Sequence, residues 1–118
     1  MLRIVNGLLG LMMLSFVAVQ WNDPDGPLWM AIYLVPAVWA LLAAFRCSVF
    51  RSQFVLGLLW ASVLFGASAM IYYWPTVPGF WRKEVWWVEE TAREGMGVMI
   101  LFVVLLVVLV TAYRQPAR

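Results

Sequence analysis

The sequence predicts an all-α integral membrane protein: four transmembrane helices in an antiparallel up-and-down bundle, with a short interfacial helix before the fourth. Three observations predict it. Hydrophobic residues fill 65% of the 118 positions, at a mean hydropathy of +0.90, and charged residues only 12%. A soluble domain carries about 25% charged residues and could not cover this much apolar surface. The apolar residues fall into four uncharged runs, 4–19, 28–45, 54–73 and 95–113, each close to the roughly 20 residues a helix needs to cross a hydrocarbon core of about 30 Å. All six acids, Asp23, Asp25, Glu84, Glu89, Glu90 and Glu94, lie in the first and third gaps between the runs. Consecutive hairpins place those two gaps at one membrane face.

Helices are the form these runs take, because backbone groups facing lipid must be satisfied within their own segment. The runs are too continuous for the alternating strands of a membrane barrel. The first helix is expected over 2–20, borrowing Leu2 and Gln20. Met1-Leu2-Arg3 ahead of an apolar stretch resembles a secretory signal. Its end, Phe16-Val17-Ala18-Val19-Gln20, offers no clean small-x-small cleavage site, so it reads as an uncleaved helix. The link Gln20-Trp21-Asn22-Asp23-Pro24-Asp25-Gly26-Pro27 encodes a tight reversal, since Asn and Asp form side-chain turns and Pro fixes φ. Asp25 is the expected N-cap of the second helix, 28–45, with Pro27 in its first turn. The third helix, 54–73, is ended by Pro75, Pro78 and Gly79. From Trp81 the pattern turns amphipathic, which suits a short interfacial helix. The fourth spanning helix covers 90–113. The whole chain, 1–118, is one domain.

Charge orients the bundle. Arg3, Arg46, Arg51, Arg114 and Arg118 share one face with no acid, whereas Arg82, Lys83 and Arg93 share the other with all six acids. Cytoplasmic loops carry the Lys and Arg excess. The expectation is a multi-pass protein of the plasma or inner membrane with both termini cytoplasmic and its acidic turns outside. Trp21, Trp29, Trp74, Trp81, Trp86 and Trp87 gather near the acidic face; only Trp39 and Trp60 do not. An aromatic belt explains this, because indole favours the interface. A partner surface or a lipid headgroup pocket would use the same residues.

Several function classes are disfavoured. There is no His and one Cys, Cys47, which removes the common haem and zinc ligand sets and any internal disulfide. Cys47 beside Arg46 and Arg51 reads as a tolerated interfacial thiol or a lipidation site. Seven Met are scattered through the apolar runs as core filler. No Ser-His-Asp or Cys-His set and no phosphate-cradling loop is present, so no enzyme is expected. Transporters place polar groups near the bilayer midplane; here that level holds only Ser62, Ser68 and Trp60, with Asn6 nearer the cytoplasmic end. Gly7, Gly10, Gly57, Gly66 and Gly97 permit close helix packing.

The acidic face carries the site candidates. Asp25, Trp29 and Tyr33 follow at steps of four and share one helix stripe, either as a pocket wall or as plain packing. Glu89 and Arg93 stand at i,i+4, the favourable orientation for an ion pair. Glu90, Glu94 and Gly97 share another face, where two carboxylates one turn apart suit a cation. Acids at a helix start also offset the macrodipole, and an exposed rim is ordinarily charged. Glu94 borders the apolar run, where an unpaired charge grows costly, about 2.5–3.5 kcal/mol at a helix centre and less near its edge. The ligand-binding candidates are therefore Gln20, Asn22, Asp23, Asp25, Trp29, Tyr33, Glu90, Arg93 and Glu94. Asp23, Asp25, Glu90 and Glu94 are the metal candidates, for a hard divalent cation such as Ca²⁺, Mg²⁺ or Mn²⁺, as oxygen-only ligation implies. Arg93 is the alternative source of positive charge.

Gln20-x-Asn22-Asp23-Pro24-Asp25, Trp29-x-x-x-Tyr33 and Glu90-x-x-Arg93-Glu94-x-x-Gly97 together resemble the uncharacterised transmembrane protein family 220. The resemblance implies a small multi-helix membrane protein and supplies no activity. In similar sequences Pro often follows the second Asp; here Gly26 intervenes, so a different cap geometry is expected. Two functions follow. One is a structural or interaction subunit whose acidic outer rim docks another membrane protein or a second copy. The other is an extracytoplasmic site for a divalent cation or polar ligand. The partners expected are the lipid bilayer and those proteins, with no nucleic acid. A site requires the start of the fourth helix to pack beside the first turn, by way of adjacent first and fourth helices.

Overall fold

Each apolar run becomes one helix. The computed structural model describes residues 1–22 and 24–114, and its helices are α1 (Leu2–Val19), α2 (Gly26–Phe45), α3 (Gln53–Tyr72), α4 (Lys83–Trp86) and α5 (Glu90–Arg114). All but α4 are long and apolar enough to cross a membrane. α2 starts two residues before the expected position because Gly26 and Pro27 form its first turn, where the fixed φ of Pro suits a helix and its missing N–H is no loss. Pro36, inside α2, is fully buried, where neighbouring helices cover the broken backbone ladder. A 3-10 turn, Cys47–Arg51, follows α2. Ser52 then caps α3, its hydroxyl accepting from Val55 N at 3.4 Å. α3 stops ahead of Pro75, and Gly79 takes the positive φ of +68° needed in the turn that follows.

Small residues decide which helices meet. α1 lies along α2, α3 along α5, and α2 and α5 pack together at the centre. α2 presents buried Ala37, Ala40, Ala43 and Ala44, and Gly7 and Gly10 of α1 come against Ala44 and Leu41. Contacts join Arg3 to Ala44, Gly10 to Leu41 and Phe16 to Tyr33: as α1 numbers rise, their α2 partners fall. α3 and α5 show the same order, joining Trp60 to Tyr113, Gly66 to Leu105 and Tyr73 to Gly95. Met13, Leu59, Val98, Val104, Leu105 and Val108 fill the core. Ile4, Leu8, Leu11, Phe54, Leu64 and Phe65 stay exposed, as lipid-facing side chains do in a spanning helix.

α1 also touches α5, through a polar lock. Asn6 Nδ2 donates to Thr111 Oγ1 at 2.7 Å and to Leu2 O at 2.8 Å, and Thr111 Oγ1 donates to Val107 O at 2.8 Å. Both residues are fully buried. Interhelical polar bonds in membranes average about 0.6 kcal/mol and reach about 1.7. A double-mutant cycle on Asn6→Val and Thr111→Val, read by unfolding in mixed micelles, is expected to give a coupling of that size. A coupling of zero would assign the pair no part in holding α1 on α5.

Candidate functional site

Asp25, Glu90 and Glu94 each bring a carboxylate oxygen within 4.8 Å of the others. Two helices supply them. Asp25 is the N-cap residue of α2, as expected, but its carboxylate makes no cap hydrogen bond. Its Oδ2 instead accepts from Trp29 Nε1 at 3.1 Å, so the side chain lies along the helix and towards α5. Trp29 and Tyr33 continue that stripe. Both are buried; their ring centroids are 5.7 Å apart, Trp29 stands 5.1 Å from Tyr73, and Tyr33 meets Phe16 edge-on at 5.5 Å.

Two glycines of α5 set the height of its carboxylates. Gly97 lies so close under the Tyr33 hydroxyl that a β-carbon there would overlap it. A β-carbon on Gly95 would stand 2.6 Å from both Tyr73 O and Pro75 Cδ. α5 is thus seated on α2 through Gly97 and on the end of α3 through Gly95, with Glu94 beside these contacts. Glu94 and Asp25 are half-buried and Glu90 is exposed. The approach runs through α2, not through the α1–α5 neighbourhood that the hairpin order suggested.

The positive charge expected nearby is engaged elsewhere. Arg93 forms no ion pair with Glu89, nor with the cluster. Its Nη1 donates to Trp86 O at 3.0 Å and Trp87 O at 2.9 Å, closing the end of α4 onto α5. Among the described residues the one ion pair is the exposed Arg82–Glu84 contact at 3.0 Å. Three carboxylates this close repel one another unless a proton or a cation lies among them. Tyr73, just past α3, registers the same field: burial pushes its phenol up, and the neighbouring Tyr72, Glu94 and Asp25 add to that shift.

Not every candidate joins the cluster. Gln20 ends α1, and its backbone carbonyl packs against Gly26. Asn22 is exposed. Neither side chain makes a hydrogen bond among the described residues. Asp23 lies outside the described residues. Sequence reasoning overlooked Tyr73 and Gly95. Their signal was faint: a Tyr at the end of an apolar run, and a Gly directly after a boundary Glu.

A family model described as "Transmembrane family 220, helix" matches residues 12–110. The match takes in the first turn, the start of α5 and every candidate residue named above. No solved structure matches the chain.

Proposed function

This chain belongs to transmembrane family 220, and from that premise we propose a non-catalytic multi-pass membrane protein that clasps α2 to α5 with one hard divalent cation. One observation carries the reading: the carboxylates of Asp25, Glu90 and Glu94 converge within 4.8 Å while the adjacent Arg93 donates to backbone carbonyls. Carboxylate oxygens at this spacing suit Ca²⁺, Mg²⁺ or Mn²⁺. Asp23, Gln20 and Asn22 are the further oxygen donors that the same turn offers. A cation shared by two helices binds the folded chain and not the unfolded one, so its binding free energy adds to stability. The Lys and Arg bias puts the clasp outside the cytoplasm with both termini within it. The opposed contact orders of α1 with α2 and of α3 with α5 support an up-and-down bundle, with α4 at the interface.

Elemental analysis of the detergent-purified protein, before and after a chelator, tests this directly. A near-stoichiometric divalent metal, whose removal lowers the melting temperature, is the expected result; no metal and no chelator effect would sink it. Arg93→Ala is expected to leave cation affinity intact or raise it, because a nearby positive charge is removed. A loss of affinity in that variant would make Arg93 part of the site.

The interaction-subunit reading rests on a separate observation, the exposure of Trp74, Trp81 and Trp87. It predicts a stoichiometric membrane-protein partner or a second copy under mild detergent, lost in Trp81→Ala while the bundle stays folded.

A further inference from the structure

We infer that the arginine-bearing end of the bundle holds the phosphate of an anionic phospholipid, gripped by Arg3, Arg46 and Arg114. Three helix ends meet there. Arg3 Nε, in the first turn of α1, donates to Ala44 O of α2 at 2.8 Å. Arg46, two residues beyond Ala44, is the C-cap of α2. Asn6 lies one turn along α1 from Arg3 and donates to Thr111 Oγ1 of α5 at 2.7 Å. Arg114, one turn beyond Thr111, ends α5. Arg51 ends the 3-10 turn ahead of α3. All four arginines are exposed.

Charge selects the occupant. Asp25 stands at the start of α2 and Glu90 at the start of α5, each a full spanning helix away from Arg46 and Arg114. No acid of the chain lies nearer to this end in sequence. Among the described residues none of the four arginines forms an ion pair. The one side-chain hydrogen bond, from Arg3, goes to a neutral carbonyl and uses Nε alone. Positive charge without a counter-ion favours a net anion, and a headgroup ammonium finds no carboxylate here. Every basic residue of this end is Arg, whose planar guanidinium grips phosphate through two parallel hydrogen bonds.

The level selects a lipid over a soluble anion. Each arginine has an exposed apolar or aromatic neighbour in a spanning helix: Ile4 by Arg3, Phe45 by Arg46, Phe54 by Arg51 and Tyr113 by Arg114. Acyl chains cover those side chains while the guanidiniums reach the headgroup layer. One phospholipid supplies both the chain and the phosphate. No residue of this end belongs to the carboxylate cluster, so the two proposals stand or fall separately.

The test titrates the full chain, in a neutral detergent, into phosphatidylglycerol labelled on its acyl tail and reads fluorescence anisotropy. Unlabelled phosphatidylglycerol should displace the probe, whereas phosphatidylcholine and inorganic phosphate in the same excess should not. Arg46→Gln should weaken binding roughly fivefold, the equivalent of about 1 kcal/mol for a basic residue at an anionic surface. Arg46→Lys keeps the charge but loses the planar fork, and should also weaken binding. Arg82→Gln, at the opposite end, should change nothing. Displacement by phosphatidylcholine as readily as by phosphatidylglycerol would mean that acyl chains alone bind, and displacement by inorganic phosphate would make a free anion the occupant. Either result overturns the inference, as does an Arg46→Gln variant with unchanged affinity.

Discussion

Glu94→Gln is expected to erase the response of the protein to divalent cations. With cation at a hundred times its dissociation constant, the unaltered chain gains about 2.7 kcal/mol of stability, which appears as a melting temperature above that of the chelated protein. Gln supplies a neutral oxygen where the cation needs charge, so the gap between the two conditions closes. The chelated variant has a second signature. It lacks one of the three mutually repelling carboxylates, so without metal it should melt no lower than the unaltered chain, and with metal it should melt well below it. Glu89→Gln, outside the cluster, should keep the full response. Acid acts as a competitor, because ligating carboxylates must lose their protons. The cation effect is therefore greatest at alkaline pH and fades as pH falls and protons return to the cluster. A Glu94→Gln variant that still responds fully to cation removes the clasp from consideration. A variant that melts lower than the unaltered protein in chelator points to a buried positive partner for Glu94.

Gly95→Ala should be strongly damaging to the packing of α5. Its β-carbon would stand 2.6 Å from the Tyr73 carbonyl oxygen and from Pro75 Cδ. One is backbone, the other a rigid buried ring, and neither can turn away as a flexible side chain would. α5 must then shift off the end of α3, at the roughly 1–3 kcal/mol that overpacking costs. Because Glu94 is the preceding residue, the shift also pulls its carboxylate out of register with Asp25, and cation affinity should fall with stability. Gly57→Ala is the internal comparison. Nothing lies within 4 Å of a β-carbon there, and an Ala in a helix is favoured over Gly by up to about 1 kcal/mol. Unfolding in mixed micelles should show Gly95→Ala destabilised and Gly57→Ala neutral or stabilised. Similar values for both would mean that α5 does not rest on α3 at this point.

The sequence by itself determined the four spanning helices, their bounds to within two residues, the short helix beginning near Trp81, and the separation of acids from the arginine-rich ends. These features follow from sums taken over neighbouring residues: the apolar content of a run, a Pro that cannot continue a helix, a Gly that accepts positive φ. The shared stripe of Asp25, Trp29 and Tyr33 and the face of Glu90, Glu94 and Gly97 were legible for the same reason, since helical period is local.

Only the tertiary structure decided which groups those faces meet. Asp25 stands at the N-cap of α2, yet its carboxylate takes no backbone N–H there and accepts from Trp29, whose indole packs edge-on against Tyr73. Arg93 was able to pair with Glu89, yet it takes the two carbonyls that α4 leaves open at its end. α5 reached the first turn through α2, because Gly97 admits the Tyr33 hydroxyl and Gly95 admits Tyr73 and Pro75. Each of these is a choice among several partners of similar chemical worth, separated by a few tenths to a few kcal/mol. Packing between segments settles such choices, as where Gly97 of α5 meets Tyr33 of α2, whereas transfer of a twenty-residue apolar run into lipid is settled by the run alone.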